Sequence, residues 1–201
     1  VQTSNMNHFL KLKEKIYSIK KSDKSILNIT FYLSTPPSSY KDIISNIIKS
    51  DLNKESSGYS RIVIEKPFGQ NLETAKKLNQ LLKSGFNESQ IYRIDHYLGK
   101  ETVQNILVSR YSNLIFNALW SKDYISYVEI TAAESIGIGN RGGYYDKSGA
   151  LKDMFQNHLL ELLCLIAMED PKENNPESIR DEKIKVLKSI RNINFDKHIV
   201  R

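Results

Sequence analysis

Three short runs of this 201-residue chain carry side chains able to bind anions and move protons. Arg93-Ile94-Asp95-His96-Tyr97-Leu98-Gly99-Lys100-Glu101 reads as the end of a strand opening into a helix. Helix N-termini present free N–H groups and partial positive charge, so His96, Tyr97 and Lys100 gathered there would make a phosphate site. Asp95 and His96 are neighbours, and in extended backbone they face opposite sides and serve different partners. The second run, Asp153-Met154-Phe155-Gln156-Asn157-His158-Leu159-Leu160, places His158 on or beside an apolar seam of Leu151, Phe155, Leu159, Leu162 and Ile166. A buried histidine needs a partner for each ring nitrogen. A carboxylate such as Asp95 would orient the ring and leave the other nitrogen as a general base. The third run, Glu65-Lys66-Pro67-Phe68-Gly69, closes a strand at its carboxyl end, where open α/β sheets bind ligands. Lys66 so placed can reach an anion or a hydroxyl, and the Lys66–Pro67 bond is a candidate for the cis form.

Each run also has a plain reading. Asp95 fits a helix cap among exposed charges, His158 a satisfied core residue, and Lys66 an exposed lysine before a proline turn. Phe31-Tyr32-Leu33, with Pro36-Pro37 beyond it, shares the strand-end position and reads equally as core plus turn.

The elements that must hold these residues alternate in the first half. Phe9–Ile19 has helical spacing, and Ile26–Leu33 is dense in β-formers. Tyr40–Ile48 is a short amphipathic helix, and Arg61–Glu65 a second apolar strand. Asn71–Phe86 is a helix with Asn71 as its candidate N-cap. Ile91–Asp95 is a third strand. This α-β-α-β-α-β order implies parallel strands joined by crossover helices. The second half differs: a long helix over Lys100–Leu119, a strand over Tyr124–Ala133, a glycine-rich loop over Gly137–Gly149, a long helix over Ala150–Met168, a polar loop over Pro171–Glu182, and a last helix starting at Ile184. The boundary between the halves falls near Asp95–Lys100, giving domains over 1–95 and 96–201.

Gly137-Ile138-Gly139-Asn140-Arg141-Gly142 matches G-x-G-x-x-G by letter. The dinucleotide motif needs a strand running straight into a glycine turn that opens a helix. The following Gly143–Gly149 reads as more loop, so a loop beside a substrate pocket accounts for these residues, and the chain holds no dinucleotide fingerprint of its own.

Hydrophobic residues are 40 % of the chain and charged residues 26 %, the balance of a soluble globular protein. No apolar run approaches the ~18 residues of a membrane span, and no secretory leader is evident. The net charge of +6 is spread over helix lysines without a dense aromatic-interleaved cluster, which argues against a nucleic-acid partner and suits anionic small substrates. The single cysteine, Cys164, fits core packing in a reducing, cytoplasmic compartment. No metal-ligand pattern stands out.

In order along the chain, Phe31-Tyr32-Leu33-Ser34-Thr35-Pro36-Pro37, Glu65–Gly69, Arg93–Glu101, Arg141-Gly142-Gly143-Tyr144-Tyr145-Asp146 and Asp153–Leu160 resemble the motifs of the glucose-6-phosphate dehydrogenase family over about residues 25–190. The resemblance implies the later part of a Rossmann-type doubly wound α/β domain, followed by the start of an α+β domain with a large antiparallel sheet. It implies an oxidoreductase that oxidises glucose 6-phosphate at C1 to 6-phosphogluconolactone with hydride transfer to NADP, opening the pentose phosphate pathway of glucose and carbohydrate metabolism. Under that resemblance His158 is the base and Asp95 its carboxylate partner. His96, Tyr97 and Lys100 bind the phosphate, and Glu134 and Asp153 the sugar hydroxyls. Lys66 lies between sugar and cofactor, and Tyr32 and Pro67 line the nicotinamide side. It also implies a homo-oligomer, dimer or tetramer. Ser34-Thr35 replaces the family's usual small-apolar pair. The absent glycine-rich start and the single sheet strand set a second expectation: the isolated chain is an inactive sugar-phosphate-binding or assembly fragment.

Overall fold

The computed structural model of the chain describes residues 3–23, 27–56, 58–133, 135, 137–139, 142–173 and 175–192. Two compact units emerge, Val1–Asp95 and His96–Arg201.

The first unit follows the alternating order read from the sequence. Helix α1 (Met6–Asp23) precedes strand β1 (Ile29–Leu33), helix α2 (Tyr40–Lys49), strand β2 (Ser60–Glu65), helix α3 (Leu72–Lys83) and strand β3 (Ile91–Ile94). The strands form one parallel sheet in the order β1-β2-β3, with Tyr32 opposite Val63 and Val63 opposite Tyr92. Burial alternates along β2, and Ile62 and Ile64 are fully enclosed. They join Leu33, Ile91, Ile43, Ile44, Ile47, Leu82 and Phe9 in one core, so the helices supply the apolar faces that a parallel sheet requires. Asn71 caps α3 as expected: its side chain accepts from the Thr74 backbone N–H at 2.9 Å, and the Thr74 hydroxyl accepts from the Asn71 N–H at 3.0 Å.

The turn from β2 to α3 carries a cis Lys66–Pro67 bond and Gly69 at φ 97°. A Cβ at Gly69 would sit 2.5 Å from the Ala75 backbone nitrogen, so the chain crosses here where no side chain fits.

The second unit departs from the sequence reading at several points. The single helix expected over Lys100–Leu119 is two: α4 (Glu101–Tyr111) and α5 (Leu114–Leu119). Asn113 causes the break, since its side chain accepts from the Ile115 and Phe116 N–H groups and starts a new helix. Lys100 has extended backbone and is the N-cap of α4, one position before the helix. Tyr124–Ala133 is not assigned as a strand; among the described residues the only sheet is the three-stranded one of the first unit. A strand needs a ladder partner, and alternation alone does not provide one. Residues expected to be glycine-rich loop contain helix α6 (Gly142–Ala150), kinked at Gly149 in a region open only to glycine (φ 66°, ψ 168°). The last helix, α8 (Pro176–Ser189), starts well before Ile184, with Asn175 as N-cap and Pro176 in its first turn.

Between α6 and α7 (Leu160–Ala167) lies a π-helical segment, Leu151–Leu159. Its end shows the wider winding: the Leu160 N–H reaches the Phe155 carbonyl, five residues back. On an α-helix, residues five apart are about 140° round the axis. The wider turn brings them onto one side, and here the buried pair is Asp153 and His158. The expected apolar seam therefore fails at its start, with Leu151 70 % and Phe155 46 % exposed.

Around α7 the unit packs on Val103, Leu165 and Met168, with Leu98, Ile106, Leu107, Tyr111, Leu162, Ile179 and Val186 against them. The free carbonyls at the end of α7 are met by side chains. Buried Arg110 donates to the Leu165 and Met168 carbonyls at 2.7 and 2.8 Å. Tyr111 donates to the Met168 and Glu169 carbonyls, and the Trp120 indole to that of Ile166 at 2.8 Å. A cation at a helix C-terminus also meets the negative end of the helix dipole.

Candidate active site

His158 is fully enclosed and has a ring on two sides. Tyr97 stacks on it, with centroids 4.1 Å apart and planes 16° from parallel. His96 stands edge-on to both, 4.7 Å from His158 and 5.0 Å from Tyr97. The Lys100 ammonium lies 4.0 Å above the Tyr97 ring.

Local sequence explains the assembly. The turn at Tyr97–Gly99 is closed by the Lys100 N–H donating to the Tyr97 carbonyl at 3.1 Å, and α4 begins one residue later. Tyr97 turns inward and is 7 % exposed, while His96 and Lys100 stay at the surface. The second unit thus gathers His96, Tyr97, Lys100 and His158, four of the residues singled out from the sequence. It buries Asp153 on the His158 side of the π-helical segment. Glu134 lies outside the described residues. Asp95, half-buried, is the last residue of the first unit and immediately precedes His96.

The first unit arranges its own residues at the carboxyl ends of β1 and β2. Tyr32 is 53 % exposed and donates its hydroxyl to the Glu65 carboxylate, and the Glu65 carbonyl accepts from Tyr40 at 3.3 Å. The hydrogen bond to Glu65, with a smaller effect of burial, raises the Tyr32 phenol above its ordinary pKa. Lys66 and Pro67 follow in a half-buried turn. Sequence reasoning gave Glu65 no role, although a signal existed: with Tyr32 opposite Val63, Glu65 is the next same-face neighbour along β2.

The Thr35 hydroxyl, two residues past the end of β1, is buried and has no hydrogen-bond partner among the described residues. An orphaned hydroxyl two residues past a strand that carries the exposed Tyr32 phenol fits a bound group with polar and ring portions, such as the ribosyl-nicotinamide end of a dinucleotide. Among the described residues no assigned strand leads into Gly137–Gly139, so the strand that a dinucleotide glycine turn requires is not seen there.

Residues 1–105 match the family model described as the glucose-6-phosphate dehydrogenase NAD binding domain, and residues 107–201 match that of its C-terminal domain. The chain is 57 % identical over 164 residues to a glucose-6-phosphate 1-dehydrogenase of Treponema pallidum, covering 82 % of this chain and 32 % of the relative. It is 50 % identical over 191 residues to the enzyme of that name from Aggregatibacter actinomycetemcomitans, covering 95 % and 39 %. A solved glucose-6-phosphate dehydrogenase in complex with glucose 6-phosphate superposes with a TM-score of 0.90 at 40 % identity, over 98 % of this chain and 40 % of that one. The chain spans about a third to two fifths of the length of these relatives. With a family model matched in each half, the chain belongs to the glucose-6-phosphate dehydrogenase family.

Proposed function

We propose that the whole protein containing this chain is a glucose-6-phosphate dehydrogenase, which oxidises glucose 6-phosphate at C1 to 6-phosphogluconolactone and uses NADP. The observation that carries the reading is the enclosed His158 imidazole stacked on Tyr97, with the Lys100 ammonium 4.0 Å from the centroid of the same ring. A base kept from bulk water next to an anion-binding cation suits a phosphorylated alcohol. His158 takes the proton of the C1 hydroxyl, and Asp95 is its carboxylate partner, holding the tautomer and stabilising the imidazolium. As the hydroxyl proton leaves, the C1–O bond shortens towards the lactone carbonyl and C1 releases hydride. The nicotinamide cofactor, when bound, supplies the hydride acceptor.

His96, Tyr97 and Lys100 hold the phosphate, and Asp153 and Glu134 hold sugar hydroxyls, so that C1 is oriented before reaction. Lys66 stands between sugar and cofactor. Tyr32, fixed by Glu65, and Pro67 line the nicotinamide side, with the Thr35 hydroxyl as a further polar contact that this sequence adds. The 1–95 and 96–201 segments are the partial cofactor and substrate domains. In the whole protein Tyr124–Ala133 pairs into an antiparallel sheet, and a homo-oligomer follows. The lone buried Cys164 suits a cytoplasmic setting, and no described helix is long and apolar enough to cross a membrane.

The test is a pair of variants in the whole protein. His158→Asn should lower kcat by about 10²–10⁴-fold with sugar-phosphate affinity kept. Lys100→Ala should chiefly raise KM. Equal affinity losses with turnover intact in both would refute this assignment of roles.

A further inference from the structure

A histidine base is useful only if its ring presents the right nitrogen to the substrate, and nothing intrinsic to the side chain secures this. The torsion that turns an imidazole about its stem is broad and roughly two-fold. The plane of His158 must therefore be set by its surroundings. At 4.1 Å between centroids the imidazole and the Tyr97 phenol are in face-to-face contact. An edge-on ring needs more room: the two edge-on contacts in this cluster have centroids 4.7 and 5.0 Å apart. His158 thus cannot turn across its stack unless Tyr97 retreats. Retreat is resisted by the Lys100 ammonium, which holds the phenol ring from 4.0 Å off its centroid. His96 stands edge-on against both rings.

We propose that Tyr97 is a positioning residue for His158, acting through the face of its ring and separably from its hydroxyl. The inference rests on His158 being the base. It adds a second duty to a residue already placed in the phosphate group: the hydroxyl faces anion binding, and the ring holds the plane of the imidazole. It also makes Lys100 a support of the Tyr97 ring as well as a phosphate ligand.

The experiment compares Tyr97→Phe, Tyr97→Leu and His158→Asn in the whole protein, by steady-state kinetics and by proton NMR of the His158 ring. A stacked phenol or phenyl ring shifts the imidazole protons upfield, and leucine does not. Tyr97→Phe should raise KM while kcat falls by no more than about threefold, with the upfield shift kept. Tyr97→Leu should lose the shift and lower kcat by about 10²-fold, the size of effect expected when a reacting group is misplaced by about 1 Å. Wild-type kcat in Tyr97→Leu, or a kcat loss beyond about tenfold in Tyr97→Phe with its stack intact, would overturn the proposal. If Tyr97→Leu does not fold, the Phe variant decides alone by the same limit. Undiminished turnover in His158→Asn would instead remove the base assignment itself, whatever the Tyr97 variants do.

Discussion

Replacing Arg110 with methionine should cost the second unit about 2–3 kcal/mol. The buried guanidinium donates to two carbonyls at the end of α7, those of Leu165 at 2.7 Å and Met168 at 2.8 Å. Hydrogen bonds to a charged group are worth about 1.5–3 kcal/mol each, which sets an upper bound near 6 kcal/mol. Two features bring it down. The Met168 carbonyl keeps the Tyr111 hydroxyl at 3.1 Å, so among the described residues only the Leu165 carbonyl loses its side-chain donor. Burial also pulls the Arg110 guanidinium below its ordinary pKa, and its Nε has no partner among the described residues, so removing the charge relieves part of a desolvation cost. Arg110→Lys should fall between, because a single ammonium lacks the planar fork that spans two carbonyls. The assay is urea unfolding followed by the fluorescence of Trp120, the chain's only tryptophan, whose ring lies 5.1 Å from the Arg110 guanidinium. The midpoint should drop without a change in slope. An Arg110→Met midpoint within about 0.5 kcal/mol of wild type would show that these carbonyls do not depend on the clamp.

Gly69→Ala should destabilise the first unit by about 1–3 kcal/mol from backbone strain alone, with more from the clash at the Ala75 nitrogen; an unchanged unfolding midpoint would mean the turn can relax. Alkaline conditions should weaken the same unit through Tyr40, whose phenol is raised chiefly by burial and then by the Glu65 carboxylate. The folded state favours the neutral phenol, so this stability is intact below the unfolded pKa of about 10 and is lost as pH rises through the raised folded value. Tyr40→Phe should flatten that alkaline loss, and identical alkaline limbs for the two proteins would contradict it.

Much of the first unit was legible because its signals are local. Asn71 three residues before Thr74 marks a capped helix, and apolar runs ended by Thr35-Pro36-Pro37 or Lys66-Pro67 mark strand ends. The chemistry-bearing residues of the second unit were legible as types, whereas their setting was not. The seam through Leu151 and Phe155 assumes a winding of 3.6 residues per turn, and the π-helical turn shifts the buried side to Asp153 and His158. Asn113 reads as ordinary helix surface until its side chain is seen to cap α5. The glycines of α6 favour a loop by propensity, yet Gly142 and Gly143 open a helix and only Gly149 leaves helical geometry. Arg110 joins an α4 side chain to carbonyls 55 and 58 residues away, and no short-range pattern announces such a contact. The Tyr97–His158 stack likewise spans 61 positions and had no periodic signal.

The proposed oxidation of glucose 6-phosphate at C1 by the whole protein, with His158 as base, can be followed with an isotope. Glucose 6-phosphate carrying deuterium at C1, incubated with the whole protein and NADP, tests it most directly. The deuterium should be found at C4 of the reduced nicotinamide, and His158→Asn should slow the transfer by about 10²–10⁴-fold. Reduced cofactor without the label, or transfer at the wild-type rate in His158→Asn, would contradict it.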